Sequence, residues 1–289
     1  MNGRKTTGDI LVFLGLAVAI SCIFYALILT GGGGRTGGRL YTTGLMWSPA
    51  VAALLTIRIR KLDLASIGWG WGEHKWNLTA YLLPLGYAAV AYLAIWTLGF
   101  GTFADDATVA KLAEGMGWKD AGHWTALIGY VLVMSTVAIV NGVSTGLGEE
   151  IGWRGFLAPR MVSQLGFTPA VLVVGLIWTA WHGPLILFGS YNQGTPMWVT
   201  IPCFTVLVLS ISVISTWLRL RSGSVWPSAI LHGSHNLFVQ AVFTPITGAK
   251  GNMTPYAVGE FGVFVPAVLA IVAIYFWTRR GELETGAKA

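Results

Sequence analysis

The sequence contains few charged residues, and this scarcity excludes a compact soluble enzyme. Asp, Glu, Lys and Arg make up 10% of its 289 residues, whereas about 25% is usual in a soluble globular domain. Hydrophobic residues make up 54%, and the mean hydropathy is +0.66. This balance predicts a polytopic protein embedded in the lipid bilayer.

Cysteines, internal repeats and long basic segments are also scarce or absent. The two cysteines, Cys22 and Cys203, lie within apolar stretches, so no disulfide framework is predicted. No internal repeat is visible, which disfavours an inverted-repeat transporter. The net charge of +6 comes from basic residues that stand singly or in pairs beside apolar stretches, so no nucleic-acid partner is predicted.

The apolar stretches predict an all-α fold with about eight transmembrane helices. The predicted spans are Ile10–Leu29, about Leu45–Ile57, Leu78–Phe100, Trp124–Val143 with a polar extension through Glu149, Thr168–Phe188, Trp198–Leu218, Val225–Phe243 and Tyr256–Trp277. The first span is longer than the apolar core of a signal peptide, so we expect it to remain in the protein as the first transmembrane helix. The glycine run 31–34 is interpreted as a flexible turn. Residues 1–289 are predicted to form a single integral membrane domain.

The distribution of basic residues predicts the orientation of these helices. With the N-terminus inside, 13 of the 18 Lys and Arg residues fall in inner segments and 5 in outer segments. Because inner loops of membrane proteins are enriched in Lys and Arg, both termini are predicted to be cytoplasmic, in the cell membrane. The segment Gly101–His123 is then the one sizeable external loop.

The most informative stretch is 149–154, with the sequence Glu-Glu-Ile-Gly-Trp-Arg. An ionisable group at membrane depth costs about 2.5 kcal/mol or more, so it indicates a functional site. On a helix, Glu150 and Arg154 lie one turn apart on one face, whereas Glu149 points about 100° away and has no local partner. The face of Glu149 carries Gly142 and Gly146, which leave space for another helix, water or a substrate. A catalytic carboxylate needs that space. Taken by itself, however, this stretch is more typical of an ion cluster at a helix end, at the level of the lipid headgroups.

Two later motifs place further polar side chains inside predicted spans. Trp178-x-x-x-His182 sets an aromatic residue and a histidine one helical turn apart. His232-x-x-x-Asn236 does the same for a histidine and a carboxamide. His235 lies off the line of Asn236 and is interpreted as structural. Three spans therefore each carry polar groups that can face the interior of a helix bundle.

The order and spacing of the three motifs resemble the CPBP family of intramembrane proteases, which includes the type II CAAX prenyl endopeptidases. The resemblance covers residues 124–243, which are predicted to form the catalytic core. The sequence departs from the family in having Trp178 where Phe is usual, and we expect this change to alter packing more than chemistry. The resemblance implies the following roles: Glu149 and His182 activate water, His232 and Asn236 stabilise an oxyanion, and Glu150 with Arg154 hold the site.

The chemistry of these residue types agrees with a peptidase but leaves the question of a metal open. Amide hydrolysis needs a base for water and donors for the tetrahedral oxyanion. Glu149, His182 and His232 also make the His₂Glu set that catalytic zinc accepts. The sequence has no His-Glu-x-x-His motif, and Asn236 is a better oxyanion donor than zinc ligand. We therefore predict hydrolysis without a cofactor, with a zinc-dependent metalloprotease as the alternative.

The prediction is an intramembrane endopeptidase that acts on a membrane-associated peptide or protein, of which a prenylated CAAX terminus is one form. A non-catalytic protein of the bacteriocin-immunity or scaffold kind and a proton-coupled transporter are the alternatives from other classes. At ~1.5 Å per residue, Glu149 lies roughly 37 Å from Trp124 and His182 roughly 21 Å from Thr168. The two groups can meet only if the helices extend beyond these limits or tilt, and we expect a cavity that opens to the cytoplasmic side.

Overall fold

The computed structural model describes residues 3–31, 34–192 and 194–285. The helices are α1 Gly3–Leu29, α2 Gly34–Arg60, α3 His74–Thr97, α4 Asp106–Gly115, α5 His123–Leu165, α6 Phe167–Phe188, α7 Met197–Ser222, α8 Trp226–His235, α9 Thr254–Ala257, α10 Phe264–Thr278 and α11 Glu282–Thr285. A π-helix over Asn236–Phe243 continues α8, and 3₁₀ turns occupy Leu64–Ile67, Gly251–Met253 and Arg279–Gly281. The strands are β1 Gly101–Phe103 and β2 Thr247–Ala249. The predicted glycine turn lies partly outside the described residues.

The prediction of an all-α polytopic membrane protein is confirmed. Within the described residues, seven helices are long and apolar enough to cross a membrane, namely α1, α2, α3, α5, α6, α7 and the helix that starts at Phe264. The remaining predicted span, 225–243, is helical but is not among the seven. Its histidines, serines and amides lower its hydropathy, and α8 is instead buried among α3, α5 and α7. The helix with the third motif is thus an interior element of the bundle.

The last predicted span begins later than expected. We predicted a helix from Tyr256, but α9 ends at Ala257 and α10 starts only at Phe264. The segment 258–263 between them is irregular and mostly buried. Gly259 in this segment has a φ of 70°, a left-handed backbone conformation that glycine adopts without a steric penalty. This segment brings a carboxylate into the bundle, as described below.

The loop Gly101–His123 is structured and pairs with a second loop. Its strand β1 is antiparallel to β2, with Gly101 opposite Ala249. Asp105 caps α4 by accepting a hydrogen bond from the Thr108 amide at 2.9 Å. Hydrogen bonds from the Thr102 hydroxyl and the Thr108 amide lower the pKa of Asp105. The loops 98–122 and 244–263 therefore lie at the same end of the bundle.

Helix α5 is 43 residues long and extends well beyond the predicted span. It contains two π-helical segments, Met134–Ala138 and Ile151–Leu157. It ends at Leu165, and Gly166, with a φ of 77°, turns the chain directly into α6. Glu149 lies 17 residues before this turn and His182 lies 16 residues after it, so both are at ~25 Å along antiparallel helices. The difference in depth that the sequence indicated therefore disappears when it is measured from Gly166.

Glycines allow α5 to approach its neighbours closely. A Cβ atom on Gly142 would lie 2.8 Å from the carbonyl oxygen of Gly233 in α8. Cβ atoms on Gly148 and Gly152, one turn apart, would come within 2.8 Å of backbone atoms in α2. Small residues at such spacing let helix backbones touch inside a membrane. The space that Gly142 was predicted to leave is used by another helix.

The apolar core runs through the centre of the helix bundle. Trp153 and Trp217 are among its fully buried side chains. A smaller apolar cluster, which includes Val109, Leu127 and Ile246, packs the paired loops onto the start of α5. Cys22 and Cys203 are both free, which confirms the prediction for the cysteines.

Candidate active site

A cavity of about 200 Å³ inside the bundle brings the predicted catalytic residues together. Its walls include Glu149 from α5, His182 from α6, and His232 and Asn236 from α8 and its π-helical continuation. Trp178 also lines it. Glu150 and Arg154 do not line the cavity but lie behind its wall, where both side chains are fully buried. The three motifs thus meet at one place, although their chemical roles stay predictions.

Glu149 is held by the indole of Trp178. The Trp178 Nε1–H donates to Glu149 Oε2 at 2.7 Å, and Glu149 is only 1% exposed. Its other oxygen, Oε1, makes no hydrogen bond to a described residue. This contact goes beyond the change in packing that we expect from tryptophan in place of phenylalanine, because only the indole has an N–H to donate. The indole ring also lies 4.2 Å from the guanidinium carbon of Arg154, a cation–π contact.

Glu150 is the carboxylate that pairs with Arg154, as predicted. Arg154 Nη1 donates to Glu150 Oε1 at 2.9 Å across one helical turn. The Nδ1–H of His232 donates to the same oxygen at 3.0 Å. Because both residues of the ion pair are completely buried, the loss of either partner would leave an uncompensated charge inside the bundle. Glu150 and Arg154 therefore fix the orientation of the His232 ring.

The ring of His182 is oriented by one hydrogen bond and by four aromatic neighbours, one of which is Trp178 at 5.8 Å. Its Nδ1 lies 3.0 Å from the carbonyl oxygen of Trp178, so Nδ1 carries the proton. The other nitrogen, Nε2, is then free to accept a proton. Ring centroids of Trp181, Phe204 and Tyr191 lie 4.9, 5.1 and 5.8 Å from that of His182. This arrangement suits a residue that takes a proton from water.

Asn236 presents its amide nitrogen to the cavity. Its Oδ1 accepts a hydrogen bond from Gln240 Nε2 at 3.2 Å. Its Nδ2 makes no hydrogen bond to any described residue, so two N–H donors remain available. The side chain is half-buried. Asn236 can therefore donate to a negatively charged oxygen in the cavity.

His235, which we interpreted as structural, also lines the cavity. Its Nε2 lies 3.0 Å from Glu260 Oε1, and its Nδ1 lies 2.6 Å from the hydroxyl of Tyr87. Both ring nitrogens therefore have partners. His235 belongs to a second polar cluster in the same wall, distinct from the three motifs.

Glu260 is the member of this cluster that the sequence interpretation missed. It is 6% exposed, lines the cavity, and accepts a hydrogen bond from the Tyr191 hydroxyl at 2.6 Å. Burial alone would raise the pKa of Glu260, but the hydrogen bonds from His235 and Tyr191 outweigh it and lower the pKa to about 2. An acidic residue within an apparently apolar span was the signal for it, the same signal that identified Glu149.

A second, larger cavity adjoins the first. Its volume is about 1010 Å³, and the two share Thr42, Met46, Asn236 and Gln240 in their walls. The larger cavity extends to Arg39 near the start of α2. A route therefore leads from Glu149 toward the end of the bundle that carries the paired loops. The expected cytoplasmic opening and the predicted external position of these loops cannot both be correct.

The described residues do not provide a metal centre. They contain no group of three or more His, Cys, Asp or Glu side chains arranged to hold a metal ion. Glu149, His182 and His232 line one cavity, and each makes a hydrogen bond through one of its two polar side-chain atoms. Such hydrogen bonds are also usual for the ligands of a metal, so metal dependence stays a prediction.

The fold and the site define a class of protein, a helical membrane protein with an acid–base cluster inside its bundle. Residues 124–238 match the family model described as "Type II CAAX prenyl endopeptidase Rce1-like". This segment contains all three motifs. This match agrees with the resemblance that the motifs indicate, and it shows that residues 124–238 are similar to an Rce1-like domain.

One curated relative gives the same relationship. "CAAX prenyl protease 2" of Methanococcus maripaludis is 30% identical over 96 residues. The match covers 31% of this chain and 34% of the relative, so the chain spans about a third of the length of that protein. The similarity is thus confined to a part of each chain.

Proposed function

We propose that the protein is an intramembrane endopeptidase that hydrolyses a peptide bond of a membrane-associated substrate without a metal. The observation that carries the proposal is that Glu149, His182, His232 and Asn236 line one cavity inside the bundle. A carboxylate, two imidazoles and a carboxamide are the groups that amide hydrolysis requires.

In this proposal Glu149 and His182 activate the attacking water. Glu149 Oε2 is fixed by Trp178, so Oε1 can accept one proton of the water. His182 Nε2 can accept a hydrogen bond from the same water, because its Nδ1 proton is directed to the carbonyl of Trp178. The proton taken by Glu149 is then available for the leaving amine.

His232 and Asn236 stabilise the oxyanion in the same scheme. Asn236 donates an N–H while neutral, which costs little in a site with limited water. His232 has its Nδ1–H directed to Glu150, so it donates through Nε2 only when the ring carries both protons. A doubly protonated His232 is a cation. It would balance the second negative charge of Glu149 and Glu150, because Arg154 balances only one of them. Glu150 is thus the partner that makes His232 suitable as a donor.

The similarity to a CAAX prenyl protease and the residues of the cavities support a proposal for the substrate class. The curated relative is named a CAAX prenyl protease, and we propose that this chain likewise cleaves a membrane-associated protein near its C-terminus, prenylated or not. Residues of the larger cavity include apolar Met134, Val137 and Leu237 beside polar Thr145. This mixture fits a peptide that carries apolar side chains.

The test is hydrolysis by purified protein in detergent or vesicles, with prenylated and unprenylated CAAX peptides as substrates. Glu149→Gln should lower kcat by about 10² to 10⁴ and leave the melting temperature nearly unchanged. Glu114→Gln, on exposed α4, is the matched control and should retain full activity. Comparing membrane proteomes of cells with wild-type protein and Glu149→Gln would then identify natural substrates.

Other functions predict other results. Equal activity of wild type and Glu149→Gln would refute the proposed mechanism and leave a scaffold or immunity protein as the better interpretation. Proton-coupled solute uptake into vesicles without peptide cleavage would favour a transporter. Stoichiometric zinc, with activity lost on its removal and regained on its return, would replace the metal-free scheme.

A further inference from the structure

The second polar cluster links the segment 258–263 to three other elements. Glu260 is its centre and accepts hydrogen bonds from His235 in α8 and from Tyr191, which follows α6. His235 in turn contacts Tyr87 in α3. All of these contacts are buried or partly buried, and the first three residues line the active-site cavity. The scheme for hydrolysis uses none of these side chains.

Tyr191 connects this cluster to a catalytic residue. Its ring centroid lies 5.8 Å from that of His182 with an angle of 31° between the planes. It also packs against Phe204 and Phe261 at 5.8 and 5.2 Å. Tyr191 lies in the loop between α6 and α7, outside any helix, so its position depends on contacts rather than on secondary structure. Its hydroxyl bond to Glu260 is the directional contact among them.

Among the described residues, no side chain forms a hydrogen bond with the ring of His182. Its Nδ1 is held by a backbone carbonyl, and its remaining described contacts are the faces and edges of aromatic rings. Aromatic packing restrains a ring less sharply than a hydrogen bond does, because it tolerates small rotations. Tyr191 is one of the rings that limit the rotation of His182, and it is the one whose own position is fixed by a hydrogen bond to Glu260.

We infer that Glu260 is a positioning residue for the proposed reaction. It holds Tyr191 against His182, so that Nε2 of His182 stays directed at the attacking water. The inference rests on the proposed function. Glu260 accepts hydrogen bonds from both Tyr191 and His235, which favours the ionised carboxylate, and a hydrogen bond to an ionised carboxylate is charge-assisted and strong. Glu260 itself touches neither the water nor the peptide in this scheme.

Two tyrosine-to-phenylalanine variants distinguish the positioning of His182 from mere structural support of the segment 258–263. Tyr191→Phe keeps the ring but removes the hydroxyl that donates to Glu260. Tyr92→Phe is the matched control, because the Tyr92 hydroxyl accepts a hydrogen bond from the amide of Gly259 at 3.0 Å. It anchors the same segment but does not line the cavity. Glu260→Gln removes the charge and replaces one of the two acceptor oxygens with an NH₂ group, so it disrupts at least one of the two contacts. It should also destabilise the fold and therefore serves as a supporting variant.

The first readout is steady-state peptide hydrolysis. Tyr191→Phe should lower kcat about tenfold with KM nearly constant, because a small misplacement of a catalytic group is costly. Tyr92→Phe should lower the melting temperature and leave kcat within about twofold of wild type. Equal losses of kcat in the two variants, or no loss in Tyr191→Phe, would overturn the inference.

The second readout does not depend on activity. Diethyl pyrocarbonate acylates the free nitrogen of a neutral imidazole, so mass spectrometry can follow its rate at His182. Tyr191→Phe should raise this rate several-fold, whereas Tyr92→Phe should not. If wild-type protein cleaves no peptide, the proposed function fails but the contact can still be tested in this way. An unchanged rate in Tyr191→Phe would show that Tyr191 does not restrain His182.

Discussion

Glu149 and Glu150 are neighbours in the chain but have different partners. Glu149 receives one neutral N–H from Trp178, whereas Glu150 contacts Arg154 and His232 in a fully buried cluster. Adjacent residues of a helix point about 100° apart, so they reach different surroundings. In the proposed mechanism, the same residue type therefore serves the reaction at one position and the structure at the next.

This difference predicts separate outcomes for the two carboxylates. Glu150→Gln removes the charge that Arg154 requires, and breaking a buried ion pair typically costs about 3 to 5 kcal/mol. We expect a markedly lower melting temperature in detergent together with reduced activity, whereas Glu149→Gln should affect activity alone. An unchanged melting temperature of Glu150→Gln, with activity lost, would reverse the two assignments.

At the residue scale, spacing along one helix was enough to predict part of the site. Glu150 and Arg154 pair as their separation of four requires. The contacts between helices could not be predicted, because no local spacing relates Trp178 to Glu149 or Tyr191 to Glu260. Trp178 shows the consequence: only the geometry reveals that its N–H reaches a carboxylate.

At the scale of elements, the turn at Gly166 explains how α5 and α6 meet. It reverses the direction of the chain, so residues equally distant from the turn lie at a similar depth in the bundle. The apolar pattern predicted both helices but not the 43-residue length of α5, because its polar second half lacks the hydropathy of a span. The π-helical segment at 151–157 likewise leaves no signature in composition.

The contact between α5 and α8 provides a prediction at this scale. Gly142→Ala would place a methyl group 2.8 Å from the Gly233 carbonyl oxygen, so α8 must move and take His232 with it. Overpacking of this kind costs about 1 to 3 kcal/mol, and we expect lower thermal stability and lower activity. Gly86→Ala in α3 is the control, since nothing lies within 4 Å of its added Cβ. A Gly142→Ala protein as stable and active as that control would contradict the close approach.

At the scale of the whole molecule, composition alone predicted the class and most of the helices. Composition could not predict the interior position of α8, because a buried polar helix and a short membrane span have similar sequences. Composition also could not predict toward which end of the bundle the cavity opens, because this depends on how the helices are staggered. The structure shows Thr42, Tyr191 and Glu260 in its walls, toward the end with the paired loops.

This arrangement links the orientation of the protein to the side from which substrate reaches Glu149. If the basic residues orient the chain as predicted, Ala107 in α4 is external and Ala287 near the C-terminus is cytoplasmic. Single cysteines at these positions, in a protein with Cys22 and Cys203 replaced by serine, should react with an impermeant thiol reagent in intact cells only at Ala107. A third single cysteine, at Thr42 in the cavity wall, shows from which side of the membrane the cavity is accessible.

We expect the cysteine at Thr42 to react from the same side as the one at Ala107, because the cavities lead toward the end that holds the paired loops. Labelling at Ala287 but not at Ala107 would invert the orientation and place the cavity on the cytoplasmic face, where a cytoplasmic C-terminus could enter it. Labelling of Thr42 and Ala107 from opposite sides would refute the opening itself. In this structure the cavities lead toward the paired loops, which the positive-inside orientation places outside the cell. The experiment therefore decides between that orientation and a substrate that enters from the cytoplasm.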